Sequence, residues 1–269
     1  MSANPASPMI EIERVSKTYQ DSEGHFVEAL KPFSLSIQEG DFVVVVGPSG
    51  CGKSTLLNML AGFESADAGQ VRVEGKKINR PSSDRGMVFQ DYALFPWLNI
   101  LDNAAFGLKK KLPAKEALER SKYWLDLVGL AGFHQKRPRQ LSGGMKQRAA
   151  IARTFAADPK VILMDEPFGA LDALTRRFLQ QQLLKIWTEH RKTVVFITHS
   201  VQEAVYLASR VIVMTARPGR IKIDQAIDLP HPRKINDPKF RDYETKIYEA
   251  LDEEIAKTFS LESAGGYGD

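Results

Sequence analysis

One cysteine, Cys51, is all that the 269 residues contain, so no disulfide can form within the chain and a buried core must hold the fold. A lone thiol also fits a reducing compartment. Long apolar runs are missing as well: no stretch approaches the roughly 18 residues that a membrane-spanning helix needs. The start, Met1-Ser2-Ala3-Asn4-Pro5-Ala6-Ser7-Pro8, lacks the charged and apolar segments of a secretory signal and reads as a loose tail. The cytoplasm is the expected location. Charge of one sign is scarce, with a net +4 on a chain that is 26% charged. The tight basic clusters are Lys109-Lys110-Lys111 and Lys136-Arg137-Pro138-Arg139. Runs this short usually mark solvated faces, although an anionic membrane surface would also suit them. No nucleic-acid-binding module accompanies them, so no nucleic-acid partner is expected. Repeats and low-complexity tracts are absent too. What is present is 43% hydrophobic residues, over a length that allows one large domain or two small ones.

From Met9 to Val46 the apolar pattern has mostly period two. Ile10, Ile12 and Val15, then Phe33, Leu35 and Ile37, suggest half-buried antiparallel strands. Phe42–Val46 is a wholly apolar strand, and Leu56–Leu60 reads as a helix. Gln70–Gly75 forms another strand and turn, and Gly86–Phe89 is short and expected to be buried. From about 91 to 158 the character becomes helical: Leu118, Trp124, Leu125 and Val128 recur at helical spacings, and Met145–Arg153 is strongly helix-forming. This reads as a helical insertion in an α/β domain. Strand–helix alternation resumes with Val161–Met164, a helix after Asp172, Thr193–Ile197, a helix after Ser200, and Val211–Met214. Such alternation predicts a parallel sheet covered on both faces. A turn at Arg217–Arg220 leads to a last strand, Ile221–Asp224. A closing amphipathic helix should put Phe240, Tyr243, Ile247, Leu251 and Ile255 on one face, and Ser263–Asp269 should fray.

The chemistry gathers around Gly47-Pro48-Ser49-Gly50-Cys51-Gly52-Lys53-Ser54-Thr55. Strand, glycine loop and helix together are the context in which G-x-x-x-x-G-K-[ST] makes a phosphate cradle. Glycines let backbone N–H groups turn toward one point, and the new helix adds unpaired amides and its positive dipole end. Lys53 would reach the terminal phosphates of a nucleotide, and the Ser54 hydroxyl would ligate Mg²⁺. Cys51 either packs beside the cradle or is acidified by the helix dipole into an oxidation-sensitive thiol. The strand Val161–Met164 ends in Asp165-Glu166-Pro167. Neighbouring strand side chains face opposite ways, so Asp165 can serve Mg²⁺ while Glu166 polarises an attacking water as general base. His199 ends another apolar strand, at the carboxyl edge where ligands gather in open α/β sheets, and fits a sensor of the terminal phosphate. Gln90 follows the Gly86–Phe89 strand and could orient water or Mg²⁺. In Leu141-Ser142-Gly143-Gly144-Met145-Lys146-Gln147-Arg148, Ser142 is a good helix cap and the two glycines permit close backbone approach to an anion.

These stretches, with Gly169-Ala170-Leu171-Asp172, occur together and in order. Over about residues 9–260 the chain resembles the ATP-binding subunits of ABC transporters. The resemblance implies a P-loop NTPase fold with a mostly parallel sheet, an N-terminal antiparallel β-subdomain and an inserted helical subdomain (about 91–158). A C-terminal strand and helix follow at about 217–260, and a tail at 261–269. It implies ATP and Mg²⁺ as ligands and a head-to-tail homodimer. Each ATP would lie between one copy's Gly47–Thr55 and the other copy's Ser142-Gly143-Gly144, with Asp172 coupling the two sites. Tyr19 matches the aromatic that stacks on adenine. Met145 replaces the signature's usual glutamine, inside the helix, where little effect is expected. Asp84–Gln90, Leu94–Asn99, Phe168–Asp172 and Ala216–Arg220 look like importers of nitrate, sulfonate, taurine and related solutes. That likeness implies a separate membrane permease contacting Phe95, Pro96, Trp97 and Leu98, an external solute-binding protein acting indirectly, and a place on the cytoplasmic side of the membrane. A soluble ABC-type ATPase uncoupled from transport is the alternative. It would favour a coiled-coil insertion or a second cassette, and neither is found in the sequence. A non-catalytic nucleotide-binding module would have lost Lys53, Asp165, Glu166 or His199.

Overall fold

The computed structural model describes residues 7–169 and 171–265. The expected tail residues 1–6 and 266–269, and Ala170 of the loop before Asp172, lie outside the described residues. Two compact units emerge, one from residues up to Pro81 together with those from Val195, the other from Ser82–Val194.

In the first unit, β1 (Ile10–Gln20) pairs antiparallel with both β2 (Phe26–Ile37) and β4 (Ala68–Val73), and β4 turns into the short β5 (Lys76–Lys77). The period-two residues do what their spacing predicts: Ile10, Ile12, Val15, Phe33, Leu35 and Ile37 are all buried. This unit also holds β3 (Phe42–Val46), every residue of which is buried, α1 (Lys53–Ala61), and β9 (Arg210–Met214) parallel to β3. Beside β9 runs the antiparallel β10 (Ile221–Ala226); α6 (Val201–Leu207) and α7 (Pro238–Gly265) complete the unit.

The second unit contains β6 (Arg85–Val88) parallel to β7 (Val161–Asp165), with α2 (Ile100–Ala105), α3 (Ala114–Leu127) and α4 (Gly143–Ala156) between them in sequence and α5 (Ala173–His190) after. Trp124, Leu125 and Phe155 form its helical core, with the Trp124 and Phe155 rings stacked at 5.2 Å. The strand β8 (Thr193–Ile197) follows α5. The architecture is the α/β one expected, with a mostly parallel sheet, an antiparallel N-terminal sheet and a helical insertion.

Three local expectations change. Gly86–Phe89 is not uniformly buried: Val88 alone is fully so, and Phe89 lies beyond the strand. On α7, Phe240, Ile247 and Leu251 are buried as expected, whereas Ile255 is 40% exposed and Glu254 takes its place facing inward. A period of 3.6 residues brings both 254 and 255 near the stripe, and hydrogen bonds to the Glu254 carboxylate decide between them. The α7 backbone continues to Gly265, so the first part of the segment expected to fray is helical.

Candidate functional site

In the first unit, β3 delivers the chain to Gly47 and α1 takes it up again at Lys53, so the glycine loop spans the gap between a buried strand and a helix start. Gly52 caps α1 at φ 93°, in the left-handed region where a side chain is strained. A Cβ there would also stand 2.5 Å from Leu30 Cδ2, so the position admits only glycine. Lys53 folds back over the loop, and its ammonium donates to the carbonyls of Gly47 at 2.7 Å and Pro48 at 2.8 Å. Ser54 is exposed at the first turn of α1. Cys51 is fully buried, and burial pushes its thiol up, with Lys53 opposing the shift. Of the two expectations for Cys51, packing beside the cradle holds and acidification does not, because loss of solvation outweighs the neighbouring ammonium.

Tyr19, near the end of β1, places its hydroxyl 3.4 Å from Thr55 Oγ1. Lys17 fixes that end of the strand. It pairs with Glu64 at 2.7 Å and Asp67 at 3.1 Å, and lies 5.3 Å from the centroid of the Tyr19 ring. The ring remains 37% exposed, accessible to a flat ligand.

His199 follows β8 and is exposed. A local network fixes its backbone: the Thr198 hydroxyl donates to Glu203 Oε2 at 2.6 Å, the Ser200 N–H donates to Thr198 Oγ1, and the Glu203 N–H donates to Ser200 Oγ. Both Thr198 and Glu203 are nearly inaccessible. Sequence reasoning passed over Glu203, yet Ser200 and Glu203 have the S-x-x-E spacing of a capping box, which could have flagged it.

In the second unit, β7 ends at Asp165, and Glu166 follows in a left-handed conformation, φ 42°. Strand alternation is thus not what separates the two carboxylates; the chain turns sharply between them. The Glu166 carbonyl accepts from the Gly169 N–H at 3.1 Å, which holds the turn closed. Asp172 caps α5, accepting from the Leu174 and Thr175 N–H groups at 3.1 and 3.0 Å, and these backbone donors, Thr175 foremost, hold its carboxyl below the usual range. Ser142 caps α4 in the same way through Met145 N–H, at 3.3 Å. Gly143 and Gly144 have close protein neighbours: a Cβ on Gly143 would lie 3.0 Å from the Tyr92 hydroxyl, and one on Gly144 3.2 Å from Thr175 Cγ2.

Gln90 is exposed just beyond β6. The segment after it walls a largely apolar cavity of about 470 Å³, with Phe89, Phe95, Phe106, Arg153, Thr154 and Pro159 among its lining residues. Phe95 and Phe106 lie 4.4 Å apart between ring centroids. Arg153 donates to the Ala93 carbonyl at 2.6 Å and the Tyr92 carbonyl at 3.2 Å. Of the four partner residues expected from sequence, Phe95 lines this cavity, Pro96 and Trp97 are exposed outside it, and Leu98 is half-buried. Phe106 and Arg153 lie 11 and 58 residues beyond Phe95, so no local pattern could join them to it.

No group of three or more His, Cys, Asp or Glu side chains able to hold a metal occurs among the described residues. That excludes an all-protein cage within that set. No helix among the described residues is long and apolar enough to cross a membrane.

The comparisons point one way. The sequence profile of the ABC transporter family matches residues 30–169. An uncharacterised ABC transporter ATP-binding protein of Methanocaldococcus jannaschii is 50% identical over 250 residues, 93% of each chain. The aliphatic sulfonates import ATP-binding protein SsuB of Bacillus cereus is 42% identical over 243 residues, 90% of this chain and 96% of its own. Two solved structures of a bacterial ABC transporter cassette superpose over 82% of this chain and all of theirs. One is described as dimeric (36% identity, TM-score 0.75); the other is a dimeric post-hydrolysis state bound to ADP and phosphate (34%, 0.73). With the glycine loop, the capped signature helix and the Asp165-Glu166 turn, these likenesses identify the chain as an ATP-binding, ATP-hydrolysing subunit of the ABC transporter family.

Proposed function

We propose that the chain energises import of a small anionic solute, of the sulfonate class, through a separate membrane permease. The likeness to SsuB supports the direction and the solute class. The observation that carries the catalytic reading is the turn at Glu166, where a residue ill-suited to a left-handed backbone is held by the Gly169 N–H at the end of a buried strand.

In this reading the amides of Gly47–Thr55 cradle the phosphates of ATP, Lys53 exchanges its loop carbonyls for the terminal phosphates, and Tyr19 stacks on the base. Ser54 and Asp165 hold Mg²⁺, with Gln90 at its margin or on the attacking water. Bound there, the ion would neutralise charge developing on the transferred phosphoryl oxygens. Glu166 accepts a proton from the attacking water, and His199, set by Thr198 and Glu203, contacts the terminal phosphate. A second copy completes each site with Ser142, Gly143 and Gly144, and Asp172 links the two. The dimeric state of the related cassette supports that arrangement. The cavity beside Phe95 receives an apolar helical segment of the permease, which places the chain on the cytoplasmic face of the membrane without crossing it. An external binding protein selects the solute.

Glu166→Gln tests the chemistry. The variant should bind MgATP as wild type does, while phosphate release falls about 10²–10⁴-fold, the usual contribution of a general base. Hydrolysis within tenfold of wild type would remove Glu166 from that role.

A further inference from the structure

The turn Ala216-Arg217-Pro218-Gly219-Arg220, between β9 and β10, has no part in the roles above, yet it lies against the glycine loop. Arg217 Nε donates to the Gly50 carbonyl at 3.2 Å, and a Cβ on Gly50 would stand 2.9 Å from the guanidinium. Gly219 packs on the next peptide so tightly that a Cβ there would be 1.9 Å from the Cys51 carbonyl oxygen. The Gly219 peptide is also tied to β2 in both directions: its N–H donates to Ala29 O, and its carbonyl accepts from Lys31 N–H, each at 2.9 Å. Between those two residues, Leu30 is the side chain that crowds Gly52. Three consecutive loop positions, Gly50, Cys51 and Gly52, therefore rest on this turn and the strand it grips.

The other side of the turn is held by α7. The Ala216 N–H donates to Glu254 Oε2 at 3.1 Å, and Lys222 Nζ donates to Glu254 Oε1 at 2.9 Å. Lys222 also donates to the Ala250 carbonyl at 3.0 Å and pairs with Glu253. Within the turn, the Thr215 hydroxyl donates to Pro218 O and accepts from the Arg220 N–H, both at 3.1 Å. Glu254 is only 3% exposed. A carboxylate so far from water is costly unless it is paired and hydrogen-bonded, and each of its oxygens here has a partner: a peptide for one, an ammonium for the other.

We infer that the Arg217–Gly219 turn is a brace for the phosphate loop and Glu254 its anchor, so that the C-terminal helix sets the loop's affinity for nucleoside triphosphate. The inference rests on Gly47–Thr55 being the phosphate site. A loop whose outer carbonyls are already tied down loses less conformational freedom when its amides close on a ligand. The brace touches neither the water nor the transferred phosphoryl group, so Arg217 and Glu254 are positioning residues. Their effect belongs in binding and not in the chemical step.

The full-length chain carries the test, with affinity read from a fluorescent ATP analogue plus Mg²⁺ and turnover from phosphate release. Arg217 is exposed, so Arg217→Ala should fold normally and remove one hydrogen bond from a charged donor. It should weaken binding about three- to tenfold and raise KM alike, with kcat within about twofold. Glu254→Ala should show the same split. Because both act through one turn, the double variant should bind about as well as the weaker single variant, a departure from additivity. Should Glu254→Ala fail to fold, the isosteric Glu254→Gln takes its place, paired with Arg217→Ala in the same cycle. Unchanged affinity in the single variants, losses that multiply in the double, or a loss confined to kcat would overturn the brace. Failure of wild type to bind MgATP would instead overturn the phosphate-site assignment on which it stands.

Discussion

Arg233 is a buried cation whose bonds go to carbonyls, and its removal tests how α6 is held. Its side chain donates through Nε to Leu229 O at 3.0 Å and through its terminal nitrogens to Val205, to Ala208 at 2.7 Å and to Ile227 at 3.3 Å. Val205 and Ala208 belong to the C-terminal end of α6, where helix carbonyls lack intrahelical donors. Arg233 is 7% exposed, and burial lowers its pKa to about 10. Arg233→Met keeps the apolar stem and leaves four inward carbonyls without that donor. Each stranded acceptor costs about 1–3 kcal/mol, least for the long Ile227 contact. Relief from desolvating an uncompensated guanidinium returns a few kcal/mol. The net is a loss of about 2–4 kcal/mol, equivalent at this chain length to a fall in Tm of about 4–8 °C. Thermal unfolding of full-length wild type and variant, followed by circular dichroism, measures it. Arg233→Lys should recover less than half, because an ammonium cannot span the carbonyls that the planar fork reaches. A fall in Tm under about 2 °C for Arg233→Met, or full recovery with lysine, would refute this account.

Two further outcomes are expected. Cys51 should resist a thiol-specific disulfide reagent in the native chain and react fully once unfolded, since it is inaccessible and burial raises its thiol pKa; rapid native labelling would contradict both. His231 should give stability an acid-side slope. Burial, with Arg233 beside it, lowers its pKa from 6.5 to about 4, so between those values the unfolded chain binds the extra proton. Its contribution is complete above about pH 6.5 and is lost as pH falls toward 4. Discounted for partial exposure, it amounts to about 1 kcal/mol by pH 5. Urea unfolding of wild type and His231→Asn at pH 7.5 and pH 5 measures it, and identical losses in the two proteins would exclude His231 as the source.

Wherever a pattern is local, it could be read from the chain. Alternation along β1 and β2 placed the buried residues, and the all-apolar β3 announced a strand covered on both faces. The glycine loop declared itself because its spacing, its strand and its helix lie within about twenty residues. The cap at Ser142 was similarly visible, since a helix start recruits its own neighbours, and the helix after Asp172 was expected although the capping role of Asp172 was not. What the sequence hid depends on pairs distant along the chain. Glu254 faces inward because Lys222 and the Ala216 peptide meet it, and periodicity alone favoured the more apolar Ile255. Phe106 and Arg153 reach the Phe95 cavity through folding of the helical segment. For Cys51 the sequence left packing and acidification both open, and burial, a quantity that no motif encodes, decides for packing.

Backbone strain separates the shaping of the chain from its chemistry. Seven described residues other than glycine have positive φ, and four of them have ordinary causes. Arg191 ends α5; Asp158 follows α4; Glu74 and Gly75 form the two-residue turn between β4 and β5; and Arg14 sits where the β1 register slips. The other three, Tyr92, Ala93 and Glu166, come shortly after the parallel neighbours β6 and β7: the Ala93 N–H closes a tight turn onto the Asp91 carbonyl around Tyr92, and Glu166 opens the turn that Gly169 closes. Each costs on the order of 1–3 kcal/mol and persists only if its surroundings enforce it. The enforcers are identifiable: Arg153 donates to the carbonyls of Tyr92 and Ala93, and the Gly169 N–H donates to that of Glu166. Arg153 bears this duty although burial disfavours its charge, which lowers its pKa. A fold selected for stability alone would relax these residues. Strain at both strand exits accords with the proposal that one exit aims a general base and the other shapes a surface for the permease.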